Sequence, residues 1–258
     1  MKKNIYLIYL FVFLNQLGTY TSYLAIVALP GSSSNFFLNL SIFFSARALG
    51  GIWAFKIAAF LIKKYCVKHC LFIGIIVSSL SMFLIIFFIN NYFLISIFLF
   101  FVGFFDNLTS TAFNSYNSKT ISKSNLLRIN HNQQFILYVT MIIGATLGGS
   151  LIQFNGLKFA LLFDSISYLV SGLIVFAFRS PEPVSNLVID IKNNIEQRVK
   201  HNIPKVIIIL LFLEVYVALV ASVFNLIEIP YYRDHLCLTY SQMGPFFSVT
   251  ILGLIIAK

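Results

Sequence analysis

The run Cys70–Ile89, CLFIGIIVSSLSMFLIIFFI, decides the fold. It is twenty residues long and carries no charge. As a helix rising about 1.5 Å per residue it spans about 30 Å, the thickness of a bilayer's hydrocarbon core. Its apolar residues follow one another without the alternation that a strand of about ten residues in an outer-membrane barrel needs. Only helices and closed barrels satisfy every backbone group in lipid, so this run reads as a transmembrane helix.

Working outward, seven further runs of similar character are predicted to span: Asn4–Leu29, Phe36–Ile62, Tyr92–Phe113, Phe135–Phe154, Phe159–Phe178, Val206–Ile229 and Gln242–Ala257. The fold class expected is therefore all-α, a polytopic membrane helix bundle of eight spans. Composition agrees, since 59% of the 258 residues are apolar and 10% charged, against about 25% charged in a soluble domain. The start Met1-Lys2-Lys3, with apolar Ile5 to Leu14 and polar Asn15-Gln16, has the outline of a signal peptide. Apolar sequence resumes through Leu29, however, so the segment reads as a retained helix.

The formal charge of +10 is distributed as membrane topology and does not suggest nucleic acid. Lys2, Lys3, Lys63, Lys64, Lys68, Lys119, Lys123, Arg128, Arg179, Lys192, Arg198, Lys200 and Lys205 all fall on one side of the eight-span reading, whereas Lys158 and Arg233 fall on the other. Short loops that keep Lys and Arg are cytoplasmic, which puts the N-terminus and Lys258 in the cytoplasm, with a bacterial inner membrane as the location expected. The longest connection, Arg179 to Lys205, divides the chain into residues 1–178 with six spans, a linker at 179–205, and residues 206–258 with two. Within the linker Val188, Ile191, Ile195 and Val199 recur at helical spacing, which fits either an amphipathic helix on the membrane surface or a tether.

Six helices, a long loop and further helices resemble the major facilitator superfamily, and the resemblance extends to sequence over essentially the whole chain. Gln16-Leu17-Gly18 with Ala28-Leu29-Pro30 resembles the first helix of its macrolide-efflux and siderophore-exporter branch. Ala58 to His69 occupies the place of the family's Gly-x-Leu-x-Asp-Arg-x-x-(Arg/Lys)-Arg loop motif. Its basic character persists in Lys63, Lys64 and Lys68, but Ala59 replaces the glycine and Lys63 the acidic residue that helps latch the two halves in family members. Arg128-Ile129-Asn130, then Gly144-Ala145-Thr146-Leu147-Gly148-Gly149, then Phe163-Asp164-Ser165-Ile166-Ser167-Tyr168 resemble the fifth and sixth helices in order and spacing. Asp164 starts a helix in the family pattern and carries a packing or hydrogen-bonding role. The glycine cluster is similar to the antiporter motif of exporters, with Gly144-Ala145 in place of Gly-Pro. Gly144 and Gly148, four apart, present one face on which another backbone can approach, as in plain helix packing.

Charged side chains deep in lipid cost at least about 2.5 kcal/mol each, so they belong against the bundle interior or water. Arg47, near the middle of the second span, is the leading candidate for substrate or coupling duty, or else for a structural ion pair. Asp106 in the fourth span pairs with Arg47 or Lys56 if the helices approach. Asn15, Gln16, Asn107 and Asn114 are polar at middle depth and either line a cavity or form interhelical hydrogen bonds. Glu214 in the seventh span is a proton-coupling candidate, while Glu228 beside Pro230 is expected to be solvated. Cys66, His69 and Cys70 have helical spacing but lack a fourth ligand, so no metal is expected.

No phosphate-binding GxxxxGK(S/T) loop, nucleophile elbow or HExxH motif occurs, so neither an enzyme nor an ATP motor is expected, and no cofactor. The resemblance implies two six-helix halves with substrate between them near the midplane. Here one half and two helices of the other are expected, a chain truncated after its eighth helix that a second chain could complete. The function expected is a secondary transporter exporting a small amphipathic molecule, coupled to a proton or sodium gradient, with the lipid bilayer and that molecule as partners. The alternative is a truncated or degenerate, non-transporting membrane protein or partner-dependent scaffold.

Overall fold

The computed structural model describes residues 2–31, 35–178, 209, 213, 216, 227–228 and 230–256. Seven complete helices occur among them: α1 Lys2–Ala28, α2 Phe36–Lys64, α3 Val67–Phe87, α4 Tyr92–Thr120, α5 Lys123–Asn155, α6 Leu157–Ala177 and α7 Tyr240–Ile256. The first six are long and apolar enough to cross a membrane. The linker at 179–205, its amphipathic segment, and Glu214 lie outside the described residues, as does most of the run Val206–Ile229.

Local chemistry sets the helix ends. α1 stops before Pro30 and Gly31, the latter at φ 57°. Asn91 caps α4 by accepting a hydrogen bond from the Leu94 N–H at 3.2 Å. Gly156 alone joins α5 to α6, at φ 88°, a backbone setting that disfavours a side chain.

Two helices outrun their apolar segments. α4 continues past Phe113 to Thr120, and α5 begins at Lys123, well before Phe135. Hydropathy marks where lipid ends, whereas the backbone ladder continues into polar sequence for as long as nothing breaks it. The apolar runs therefore located the spans but understated the helices.

The spatial order of the bundle is α2–α4–α3–α6–α1–α5–α7. Small residues hold neighbours close, as expected where lipid supplies no hydrophobic drive between helices. At the α3–α6 contact Ser79 Oγ donates to the Ser165 carbonyl at 2.8 Å and Ser165 Oγ returns a bond to the Ser79 carbonyl at 3.0 Å. Ile8, Leu24, Leu40, Phe43, Leu71 and Tyr116 fill the interior, while Phe55, Phe93 and Phe154 are 73–80% exposed, a surface that only lipid solvates well.

The two ends of the bundle differ in charge. Lys64, Lys68, Lys119 and Arg128 gather at one, the basic end, and Lys158 and Arg233 at the other. Lys68 Nζ donates to the Phe176 and Phe178 carbonyls at 2.7 and 2.9 Å, so the first turn of α3 holds the C-terminus of α6 through a cation on its orphan carbonyls. Lys64 lies over the Phe60 and Tyr65 rings. The Lys63 side chain lies outside the described residues.

Candidate functional site

Arg47 reaches Asp106 because two glycines let α2 and α4 touch backbone to backbone. A Cβ at Gly103 would overlap the Arg47 carbonyl oxygen, and one at Gly50 would overlap that of Phe100. With the helices in contact, Arg47 Nη2 donates to Asp106 Oδ2 at 3.0 Å. Lys56, the other partner considered from sequence, instead lies exposed, its ammonium 5.7 Å from the Trp53 ring centre.

Asp106 has further donors. Ser78 of α3 and Tyr168 of α6 both donate to its Oδ1 at 2.9 Å. Three donors from three other helices compensate the carboxylate, so the ion pair also ties α2, α3, α4 and α6 together. Thr19 of α1 extends the network, its Oγ1 lying 3.1 Å from the Tyr168 hydroxyl.

The network borders a cavity of 360 Å³ lined by residues of α1, α2, α4, α5 and α6. Arg47, Asp106, Asn15, Gln16, Asn107 and Asn114, six of the seven pathway residues singled out from sequence, all line it. Asn107 is half committed elsewhere, donating from Nδ2 to the Gly103 carbonyl at 3.0 Å. Thr19, Thr109, Ser110, Gln133, Gln134 and Tyr168 complete the polar wall, and Phe11, Val12, Phe113 and Leu137 supply an apolar one. The amide nitrogens of Asn15 and Gln133 are buried there without a hydrogen-bond partner.

Sequence reasoning missed Thr19, Gln133, Gln134 and Tyr168. The two glutamines precede Phe135, where the apolar run begins, and so read as loop. Tyr168 follows Asp164 by four residues in a span, a one-turn spacing that places both on one face and could have flagged it. Gln134 also borders a second cavity toward the basic end, lined with Ser124, Leu127, Arg128, Asn130 and His131.

The motif glycines sit at helix contacts. Gly144 and Gly148 meet α1 at Leu17 and Thr21, and Gly149 meets the α7 backbone at Tyr240. Asp164 does not start a helix, because α6 begins at Leu157 directly after Gly156. It is 2% exposed, with Oδ2 at 2.5 Å from Ser22 Oγ.

Glu228 corrects another expectation. It is 5% exposed rather than solvated, because Tyr232, one turn on, covers it and donates to its Oε1 at 2.6 Å. Nearby, Arg233 donates to the Gly31 carbonyl at 3.3 Å and sits 4.8 Å from the Phe36 ring centre, linking this segment to the α1–α2 turn. Asp234 bonds the same guanidinium at 2.7 Å, which holds its carboxyl below the usual range.

A lipid-facing helix bundle that encloses a polar cavity around an ion pair has the build of a membrane transporter. The chain belongs to the Major Facilitator Superfamily, whose sequence pattern matches residues 7–258. It is accordingly a multi-pass membrane protein of a family of transporters. No curated protein matches the sequence.

Proposed function

We propose that the chain is a secondary transporter that exports a small amphipathic molecule across a bacterial inner membrane, by alternating access coupled to an ion gradient. The observation that carries this reading is the 360 Å³ cavity, with one wall of amides, hydroxyls and the Arg47–Asp106 pair and another of Phe11, Phe113 and Leu137. A solute with an apolar face and hydrogen-bonding groups meets complementary surface on both sides. Asn15 and Gln133, whose amide nitrogens lack partners, are suited to bind its acceptors. The asymmetry of the basic residues supports cytoplasmic termini. In that orientation the cavity lies toward the cytoplasm, since Phe11, Asn114 and Gln133 are on its basic-end side and Arg233 bonds the α1–α2 turn at the opposite end. Residues 1–178 then form one half of the transporter, and the segment after the linker begins the second wall.

The test is accumulation of amphipathic fluorescent dyes in cells expressing the chain, alone and with any adjacent reading frame. Lower dye retention than in control cells, restored to the control level by Arg47→Ala, is the expected result. Retention that neither the chain nor the substitution alters would reject active transport.

A further inference from the structure

Two carboxylates near the cavity, Asp106 and Asp164, are treated differently by their surroundings. Asp106 receives a guanidinium and two hydroxyls. Asp164 has Ser22 alone: its Oδ2 lies 2.5 Å from Ser22 Oγ, while Oδ1 is buried with no partner. Ser22 Oγ also lies 3.2 Å from the Thr19 carbonyl oxygen, and a serine hydroxyl has one hydrogen to give to the two acceptors. On the α1 side Gly18 packs against Oδ1, so closely that a Cβ added there would stand 2.5 Å from it. A buried carboxyl oxygen without a donor costs free energy, and the hydrogen-bond count at this site is short of one hydrogen.

We propose that Asp164 is a proton-binding site, protonated while α1 and α6 pack as they do here, and able to release its proton only when α1 moves away. With the proton on Oδ2, that O–H donates to Ser22 Oγ, the Ser22 hydrogen goes to the Thr19 carbonyl, and the hydrogen count closes. The groups acting on Asp164 are Asp106 from α4, Arg47 from α2 and Tyr168 from α6 itself. α1 presents Gly18 and Ser22, α3 presents Ser79 to the adjacent Ser165, and Lys123, Arg128 and His131 of α5 lie near its N-terminal end. Arg47 is committed to Asp106, so it does not neutralise Asp164 as well.

Tyr168, one turn along α6, bonds both Asp106 and Thr19 at the cavity wall. A displacement of α1 that exposes Oδ1 therefore also breaks the Thr19–Tyr168 contact beside the ion pair. Proton release at Asp164 and rearrangement of the cavity become one event. As a coupling device this rests on the transporter reading, whereas the proton itself does not.

Infrared spectroscopy of the full chain in lipid vesicles at neutral pH tests it through the carbonyl stretch of protonated carboxylic acids. The expected result is such a band, part of which is lost in Asp164→Asn and none in Asp106→Asn. A band that Asp164→Asn leaves whole, or that only Asp106→Asn diminishes, would overturn the assignment. Should Asp164→Asn not fold, Ser22→Ala serves, because loss of the one hydrogen-bond partner must shift the band, and an unshifted band rejects the site. No solute enters this measurement. A chain that moves no dye but keeps the Asp164 band loses the transporter reading alone, and one that moves dye without the band loses this proposal alone.

Discussion

Arg47 and Asp106 form the part of the site most open to single substitutions. Exposed pairs contribute below about 1 kcal/mol and breaking fully buried ones costs about 3–5 kcal/mol. The two side chains are 24% and 23% exposed, to the cavity, so the pair lies between those limits. Arg47→Ala is expected to destabilise the purified chain by about 2 kcal/mol, since Asp106 keeps only hydroxyl donors. Adding Asp106→Asn should recover part of that loss, because the uncompensated charge goes with it. Thermal unfolding in detergent of both single variants and the double variant measures the coupling, and strictly additive losses would show that the two charges do not interact. Both residues were legible in the sequence as charges inside apolar runs. Ser78 was not, because a hydroxyl in a transmembrane run is unremarkable until the carboxylate it serves is known to be opposite.

At the scale of elements, the α2–α4 contact positions this pair through glycine. A methyl at Gly103 meets the Arg47 carbonyl, which cannot yield without moving α2, and displaced packing of this kind costs about 1–3 kcal/mol. Gly103→Ala should thus lower the melting temperature and separate Arg47 from Asp106. Gly172→Ala is the control, since its Cβ would stand 3.3 Å from the side-chain carbon Ile75 Cγ2, a contact that a shift of a few tenths of an ångström relieves and that involves no backbone atom. Equal melting temperatures for the two variants would refute the role given to the α2–α4 approach. The glycine spacing at Gly144 and Gly148 was readable as a packing face, but which helix it met was not, since sequence spacing names a face and not its neighbour. Helix ends were misread where polar sequence continued a helix beyond lipid, as at Lys123 to Gln134.

Taken whole, the molecule is a run of neighbouring helices around a cavity that lies toward the basic end, with Arg233 joined to the α1–α2 turn at the other. The apolar runs made the spans legible, and the resemblance through Gly144 to Tyr168 indicated the family. The order α2–α4–α3–α6–α1–α5–α7 follows from contacts between residues distant in the chain, which no local pattern encodes. That order brings Asn15, Arg47, Asp106 and Gln133 to one space, and the central claim is that this space is an aqueous chamber reached from the basic end. The direct measurement places a single cysteine at Asn114, with Cys66, Cys70 and Cys237 replaced by serine, and applies a membrane-impermeant maleimide to vesicles of each orientation. Labelling should be fast where the basic end faces the reagent and slower by at least about tenfold where the Arg233 end does, a difference of about 1.4 kcal/mol in barrier. Equal labelling from both sides, or none from either, would contradict the account.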